Sequence, residues 1–248
     1  MITVVVLTHN EEKNIADCLE SIKWCDQIIV IDDESQDRTV DIAEKEKVEV
    51  IKAPLNGNFS KQRNLGLEHA KNDWVLYIDA DERVTDSLRY EIQSVMSDPM
   101  ASFNGHLVKR KDVMWGRQLS HGETGNASFL RLAKKDAGRW EGAVHEKWKI
   151  KGRIGKLNNS LFHFPHPTIA QFLKEVNLYT DIRSRELYEG KVRANFFSII
   201  FHTKAKFFQN YFFKKGFLDG VPGLISAVLM SFHSFLVRGK LWFLWQKN

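Results

Sequence analysis

Three carboxylates close the stretch Trp74-Val75-Leu76-Tyr77-Ile78-Asp79-Ala80-Asp81-Glu82. The apolar run before them reads as a strand buried on both faces, as in a parallel sheet. Side chains alternate along a strand, so Asp79 and Asp81 can face one side while Ala80 faces the other. Two carboxylates aimed at one point repel unless a cation lies between them. Hard oxygen ligands suit Mg²⁺ or Mn²⁺, held by one or two carboxylates together with substrate phosphates. The competing reading is an acid-rich first turn of a helix, favoured by the helix dipole, and Glu82 fits it.

Two more strand ends carry polar groups: Thr8-His9-Asn10-Glu11 after one apolar run, and Asp32-Asp33 after a second. In open α/β sheets ligands bind beyond the carboxyl ends of the strands. Each polar end alone could be turn chemistry. Three at one edge describe a nucleotide pocket, in which carboxylates accept from a base or ribose and a cation neutralises a diphosphate.

The elements that must position these groups are legible in order. Strands are expected at 3–8, 27–31, 48–51 and 74–78. Helices are expected around Ile15, Leu19 and Ile22, from Thr39 to Lys45, from Phe59 to Lys71 with Leu65 and Leu67 inward, and from Thr85 to Met96. Asn10 reads as the N-cap of the first helix, which would put backbone N–H groups beside an anion directly after the first strand. Alternating strands and helices over this length argue for a doubly wound sheet. From Phe103 to Lys156 the segments become short and mixed, with strands at 106–110 and 129–132 and turns at Trp115-Gly116 and Gly122–Gly125. A long helix is expected from Thr168 to Gly190.

The chain has 248 residues, and its net charge of +5 is unevenly spread. From Asn195 to Asn248 seven Lys and Arg face one acid, Asp219, a balance of +6 that leaves −1 for residues 1–194. The same tail holds eleven of the seventeen Phe, with Trp242 and Trp245. Cys18 and Cys25, seven apart, lack metal-type spacing and read as free thiols, Cys18 on a buried helix face. Met1 leads straight into an apolar strand with no basic leader, so a cytoplasmic location is expected.

Val4-Val5-Val6-Leu7-Thr8-His9-Asn10-Glu11-Glu12, Val30-Ile31-Asp32-Asp33-Glu34-Ser35-Gln36-Asp37-Arg38-Thr39, Gln62-Arg63-Asn64-Leu65-Gly66 and Ile78-Asp79-Ala80-Asp81-Glu82 resemble, in order and spacing, the family-2 inverting glycosyltransferases of the GT-A fold. The resemblance covers about residues 1–150. Glu34 departs from it, standing where many members have glycine. It implies a Rossmann-like, mostly parallel sheet flanked by helices: a catalytic domain over residues 1–165, with a nucleotide-sugar half (1–100) and an acceptor half (101–165), and a helical extension over 166–248. It also implies that Thr8 and Glu11 line the nucleoside pocket, that Asp32 with Asp33 receives the base, and that Arg63 contacts the nucleotide. Asp79 is implied near ribose and metal, with Asp81 as the main ligand of Mg²⁺ or Mn²⁺. Outside that family context, Arg63 reads as a solvated helix arginine.

Arg139-Trp140-Glu141-Gly142-Ala143-Val144-His145-Glu146 resembles the W-x-G-x-VHE segment of the lipopolysaccharide inner-core β-1,4-glucosyltransferase branch, a match extending to Gly216-Phe217-Leu218-Asp219-Gly220 and Gly223-Leu224. Inverting transfer needs a base for the acceptor hydroxyl. Glu146 is the candidate and Glu141 the alternative, with His145 completing the metal shell. His163, His166 and His202, among aromatics and prolines, read as packed imidazoles. The implied partners are a UDP-sugar, UDP-glucose by this branch, a lipid-anchored saccharide acceptor and the cytoplasmic face of the inner membrane. Nucleic acid is not among them. The aromatic tail is either core or a surface lying on anionic lipid, and peripheral attachment is favoured. A spanning helix is not expected, because Asp219, Gly220, Pro222, Gly223 and His233 interrupt Phe217 to Val237. Two rivals are a nucleotidyltransferase, which would want a Gly-rich basic loop that Thr8-His9-Asn10-Glu11 does not supply, and a non-catalytic membrane or nucleic-acid binder driven by the tail.

Overall fold

The computed structural model describes residues 1–98, 102–123, 127–142, 146–165 and 168–246. The chain forms two compact units, Met1–Arg110 with Ala127–His163, and Lys111–Asn126 with Phe164–Asn248.

In the first unit, β1 (Ile2–Thr8) is buried at every position and takes β2 (Gln27–Asp32) as a parallel neighbour. Helix α1 (Ile15–Ile22) connects them, α2 (Thr39–Lys45) leads to β3 (Glu49–Lys52), and α3 (Phe59–His69) leads to β4 (Trp74–Asp79). The parallel part of the sheet runs β3-β2-β1-β4. After β4 come the short β5 (Glu82–Val84), α4 (Asp86–Ser97) and β6 (Phe103–Met114), which runs past Arg110 into the second unit, where its last two residues pair with β7 (Arg117–Gln118). Then follow β8 (Ser128–Lys134), a separate ribbon of β9 (Gly138–Glu141) and β10 (Lys147–Ile150), and β11 (Arg153–His163). Beyond β4 the sheet turns mixed: β8 is antiparallel to β4, β6 to β8, and β5 to β11.

The period-2 pleat of β1 divides the core between the two faces. Val4 and Val6 pack with Ile15, Cys18, Leu19 and Ile22 of α1 and with Leu88 and Ile92 of α4. Val5 and Leu7 pack on the other face with Leu67 of α3, Tyr77, Trp140 and Trp148. Cys18 is wholly buried, and burial pushes its thiol upward, so it packs rather than reacts. Gly66 lets α3 lie against β1, since a Cβ there would sit 2.4 Å from Val5 Cγ1. Asn58 caps α3, accepting from Lys61 N, and Thr85 caps α4, accepting from Leu88 N.

Helix α1 begins later than expected. Asn10 is not its cap. It takes a left-handed φ of 56°, and Asn14 is the N-cap residue. The intervening amides are already engaged: Asn10 N donates to Ser35 Oγ, Glu11 N to Thr39 Oγ1 and Glu12 N to Asp37 Oδ2. The turn after β1 is thus tied to the loop after β2 instead of being held open for an anion.

In the second unit, α5 (Ile169–Glu189) and α7 (Gly220–Gln246) pack around Phe172, Val176 and Leu229, and α6 (Phe196–Phe208) lies against α7, where Ser231 Oγ donates to Thr203 O at 2.8 Å. Segment 111–123, expected in the acceptor half, belongs to this unit. Asp219 draws it there by accepting from the backbone amides of Ser120 (3.1 Å) and His121 (2.8 Å) and pairing with the His121 ring (2.9 Å). Helix α7 is also continuous where interruption was expected. Pro222 falls in its first turn, where a missing N–H costs nothing, and the stretch Gly216–Gln246 is long and apolar enough to cross a membrane.

Candidate active site

The parallel register puts three strand ends at one edge. Thr8 is opposite Asp32, and Leu7 is opposite Asp79. The ends of β2 and β4, separated by β1, are about 10 Å apart at ordinary strand spacing. Thr8 and Asp32 are buried, and Thr8 Oγ1 and Asp32 Oδ1 have no hydrogen-bond partner among the described residues. The other Asp32 oxygen accepts from Ser35 N at 3.0 Å, which fixes the carboxylate and leaves Oδ1 unspent. Asp33 accepts from Leu55 N at 2.6 Å, and Glu11 accepts from the Asn14 side chain at 2.7 Å.

Arg63 organises the next layer. Its helix is held to the β9–β10 ribbon, where the Asn64 side chain and the Trp140 backbone exchange two hydrogen bonds of 2.9 and 3.0 Å. Tyr77 Oη donates to Arg63 O at 2.7 Å, and the guanidinium lies 4.6 Å from the Trp140 ring centre. Trp140 stacks on Trp148, and Tyr77 meets both edge-on. In this aromatic cradle Arg63 Nε donates to Glu146 Oε1 at 2.8 Å, and Nη2 donates to Asp79 Oδ1 at 3.3 Å.

Arg131, on β8, completes the array. Its Nη2 donates to Asp79 Oδ2 at 2.8 Å and to Glu82 Oε1 at 2.9 Å, while Glu82 Oε2 accepts from Asp79 N at 2.9 Å. Burial opposes charge on Asp79, but Arg131 and Arg63 outweigh it and hold the carboxyl below the usual range. Glu82 is fully buried, and burial pushes it up to about 7 against the pull of Arg131. The helix-turn reading of Glu82 is therefore wrong. It begins β5 and braces Asp79 from behind. Arg63 likewise is not a solvated helix residue.

Asp81 turns elsewhere. Its Oδ2 is 3.1 Å from Nε2 of His163, the last residue of β11. His163 is thus not merely a packed imidazole. Asp79, read from the sequence as a second metal ligand, has both oxygens engaged by guanidiniums, which repel a divalent cation. That leaves Asp81 as the carboxylate able to meet one, with the His163 imidazole beside it. His145 lies outside the described residues, as does His166. Among the described residues no three His, Cys, Asp or Glu form a metal cage. The donor set nevertheless fits a Mg²⁺- or Mn²⁺-like ion, which takes most of its shell from phosphate oxygens and water. Glu141, the alternative base, is exposed and paired with Lys149 at 2.7 Å, whereas Glu146 is mostly enclosed beside Arg63.

The sequence profile of glycosyl transferase family 2 matches residues 3–177, which take in every group described above. The chain belongs to glycosyl transferase family 2. Among relatives, an uncharacterized glycosyltransferase of Rickettsia conorii is 27% identical, with 97% of this chain and 89% of the relative covered. The lipopolysaccharide core biosynthesis glycosyltransferase LpsC of Rhizobium meliloti is 27% identical over 97% of this chain and 92% of its own. The structure of Staphylococcus aureus TarS in complex with UDP-GlcNAc superposes with a TM-score of 0.51 at 16% identity, covering 100% of this chain and 92% of that one. The fold is GT-A, with a helical C-terminal part. In this family 2 chain the sequence did not single out Arg131, Tyr77 or Trp148, and His163 was expected only as a packed imidazole. Arg131 left a signal, since an arginine inside the apolar run Phe129-Leu130-Arg131-Leu132 must find buried carboxylates.

Proposed function

We propose that this glycosyltransferase transfers glucose from UDP-glucose, with inversion, to a heptose of a lipopolysaccharide inner core or a similar lipid-linked saccharide at the cytoplasmic face of the inner membrane. The observation that carries the reading is the array Glu146–Arg63–Asp79–Arg131–Glu82, set at the same sheet edge as Thr8 and Asp32. Asp32 Oδ1, buried and unspent, suits an imide N–H such as that of uracil, with Thr8 opposite it on β1. The name and the near-complete overlap of LpsC support the lipopolysaccharide acceptor, as does the Trp140–Glu146 segment.

When bound, a divalent cation supplies positive charge to the diphosphate, and Asp81 with His163 would hold it. The protein's own groups do the remainder. Asp79, kept ionised by two guanidiniums, is suited to ribose hydroxyls. Arg63 fixes the direction of the Glu146 carboxylate. Glu146 accepts the acceptor hydroxyl proton as that oxygen bonds to C1, while the C1–O bond to the diphosphate breaks on the opposite face and UDP departs with the electron pair. Charge grows on the leaving group in this step, so positive charge beside it lowers the barrier.

The experiment is transfer and hydrolysis of UDP-hexoses by the purified chain with Mg²⁺ and with Mn²⁺. Glu146→Gln should cut turnover by about 10²–10⁴-fold and leave UDP binding intact. Asp81→Asn should cut turnover and also weaken metal-dependent UDP binding. Undiminished activity in both variants would end this mechanism.

A further inference from the structure

Helix α6 has no buried residue, and its exposed side carries Phe196, Phe197, Ile200, Phe201 and Phe208 with a single charge, Lys204. On α7 Phe243 is exposed near the C-terminal end, and the other exposed apolar positions are Val221, Leu224, Val228, Phe232, Phe235 and Trp242. Their spacings of three, four and seven form one stripe along the helix. An amphipathic helix of a water-soluble protein turns its polar face outward, and here the outward stripe is apolar. The turn between the helices adds Phe213, 83% exposed, beside Lys214 and Lys215. Exposed apolar surface on this scale marks a place where something docks.

We propose that the outward faces of α6 and α7, with the turn between them, form a docking surface that lies in the headgroup region of an anionic bilayer. The charge identifies the partner. The exposed charged residues interleaved with these aromatics, Lys204, Lys214 and Lys215, are all basic, and the one acid after Asn195, Asp219, is buried against His121. A second copy docked through the same face would set these lysines against themselves. Phospholipid headgroups bring the opposite charge, and aromatic side chains favour the interfacial zone.

The packing of α7 decides that it lies on the membrane instead of crossing it. Lys240 Nζ is held by Asn177 O (2.8 Å), Asn177 Oδ1 (2.8 Å), Thr180 Oγ1 (2.9 Å) and Asp181 Oδ1 (2.8 Å), all on α5. Farther along, Trp245 Nε1 donates to Val192 O at 2.7 Å. Helix α5 is strongly charged, with the Arg183–Glu186 pair on its surface. A spanning α7 would draw these groups into hydrocarbon, where charge is expelled. Placed flat, the unit keeps α5 in water and offers only the apolar stripe to lipid. Docking is separable from sugar transfer, so a chain that bound lipid and moved no sugar would leave this proposal standing and the proposed reaction refuted.

The full chain should co-float with vesicles of phosphatidylethanolamine and phosphatidylglycerol, bind phosphatidylcholine vesicles weakly, and be released by a carbonate wash at high pH. Phe197→Ser with Phe201→Ser, and separately Val228→Ser with Phe232→Ser, should each weaken anionic-vesicle binding by at least about tenfold, as loss of buried apolar area from an interfacial helix requires. Because the substituted positions are exposed, thermal unfolding and UDP binding should match the parent. Failure of the parent chain to bind, undiminished binding by both double variants, or retention through the carbonate wash would overturn the proposal. So would a dimer that the variants dissolve while vesicle binding is unchanged.

Discussion

Glu82 offers the sharpest residue-scale test because its environment fixes a sign. Its carboxyl is pushed up to about 7 in the fold, from 4.5 in the free side chain. Holding a proton therefore stabilises the folded state: the contribution is full below about pH 4.5 and gone once the pH passes about 7. Glu82→Gln carries the neutral form at every pH. The parent should lose stability relative to this variant as pH rises across that window, by up to roughly 3 kcal/mol. Parallel stability curves from thermal melts between about pH 5 and pH 8 would show that Glu82 is ionised throughout. Arg131 sits between Glu82 and Asp79, so Arg131→Met strands the fully buried Glu82 carboxylate and leaves the half-buried Asp79 with Arg63 alone. The cost should be about 3–5 kcal/mol by denaturant titration, the range for breaking a buried pair from one side. Among the described residues Arg131 meets the site only through these two carboxylates, so it acts by positioning.

At the scale of elements, Gly66 sets how closely α3 approaches β1, and α3 carries Arg63. A methyl group at Gly66 would meet Val5 Cγ1 at 2.4 Å, and Val5 is backed by the packed core. Gly66→Ala should lower stability by about 1–3 kcal/mol, the usual penalty of overpacking. It should reduce turnover further by tilting Arg63 away from Glu146. A variant with parental stability and turnover would mean that α3 shifts freely. The same elements show what the sequence could disclose. Strands β1, β2 and β4 were legible because each is an apolar run ending in polar residues, and the pocket edge followed from the parallel order. The start of α1 was not, because the turn after β1 is bound to Ser35, Asp37 and Thr39, more than twenty residues away. Pairings that distant leave no periodic trace. The role of His163 was hidden for the same reason: its partner Asp81 is brought near only by the antiparallel β11–β5 contact. Helix α7 was misjudged because Pro222 and Gly223 were read as breakers, although both fall in its first turn.

At the scale of the molecule, the chain leaves the sheet unit after Arg110, returns at Ala127 and leaves again after His163. Every group assigned to donor binding or proton transfer belongs to the sheet unit, and the helices proposed to dock on lipid belong to the other. That division has a measurable consequence at Asp219, the acid that holds segment 111–123 among the C-terminal helices through two amides and an imidazole nearly one hundred residues away in sequence. Asp219→Ala leaves those amides and the imidazole without their acceptor, at a cost of about 1–3 kcal/mol. Limited proteolysis should then cut within 111–126 before the parent is cut anywhere, since local opening exposes the segment whose tether was removed. UDP affinity should not change, because Thr8, Asp32, Arg63 and Asp79 keep all their partners. If UDP binding fell together with protease resistance, the two units would be a single cooperative body. The donor pocket would then depend on the helices proposed to dock on lipid.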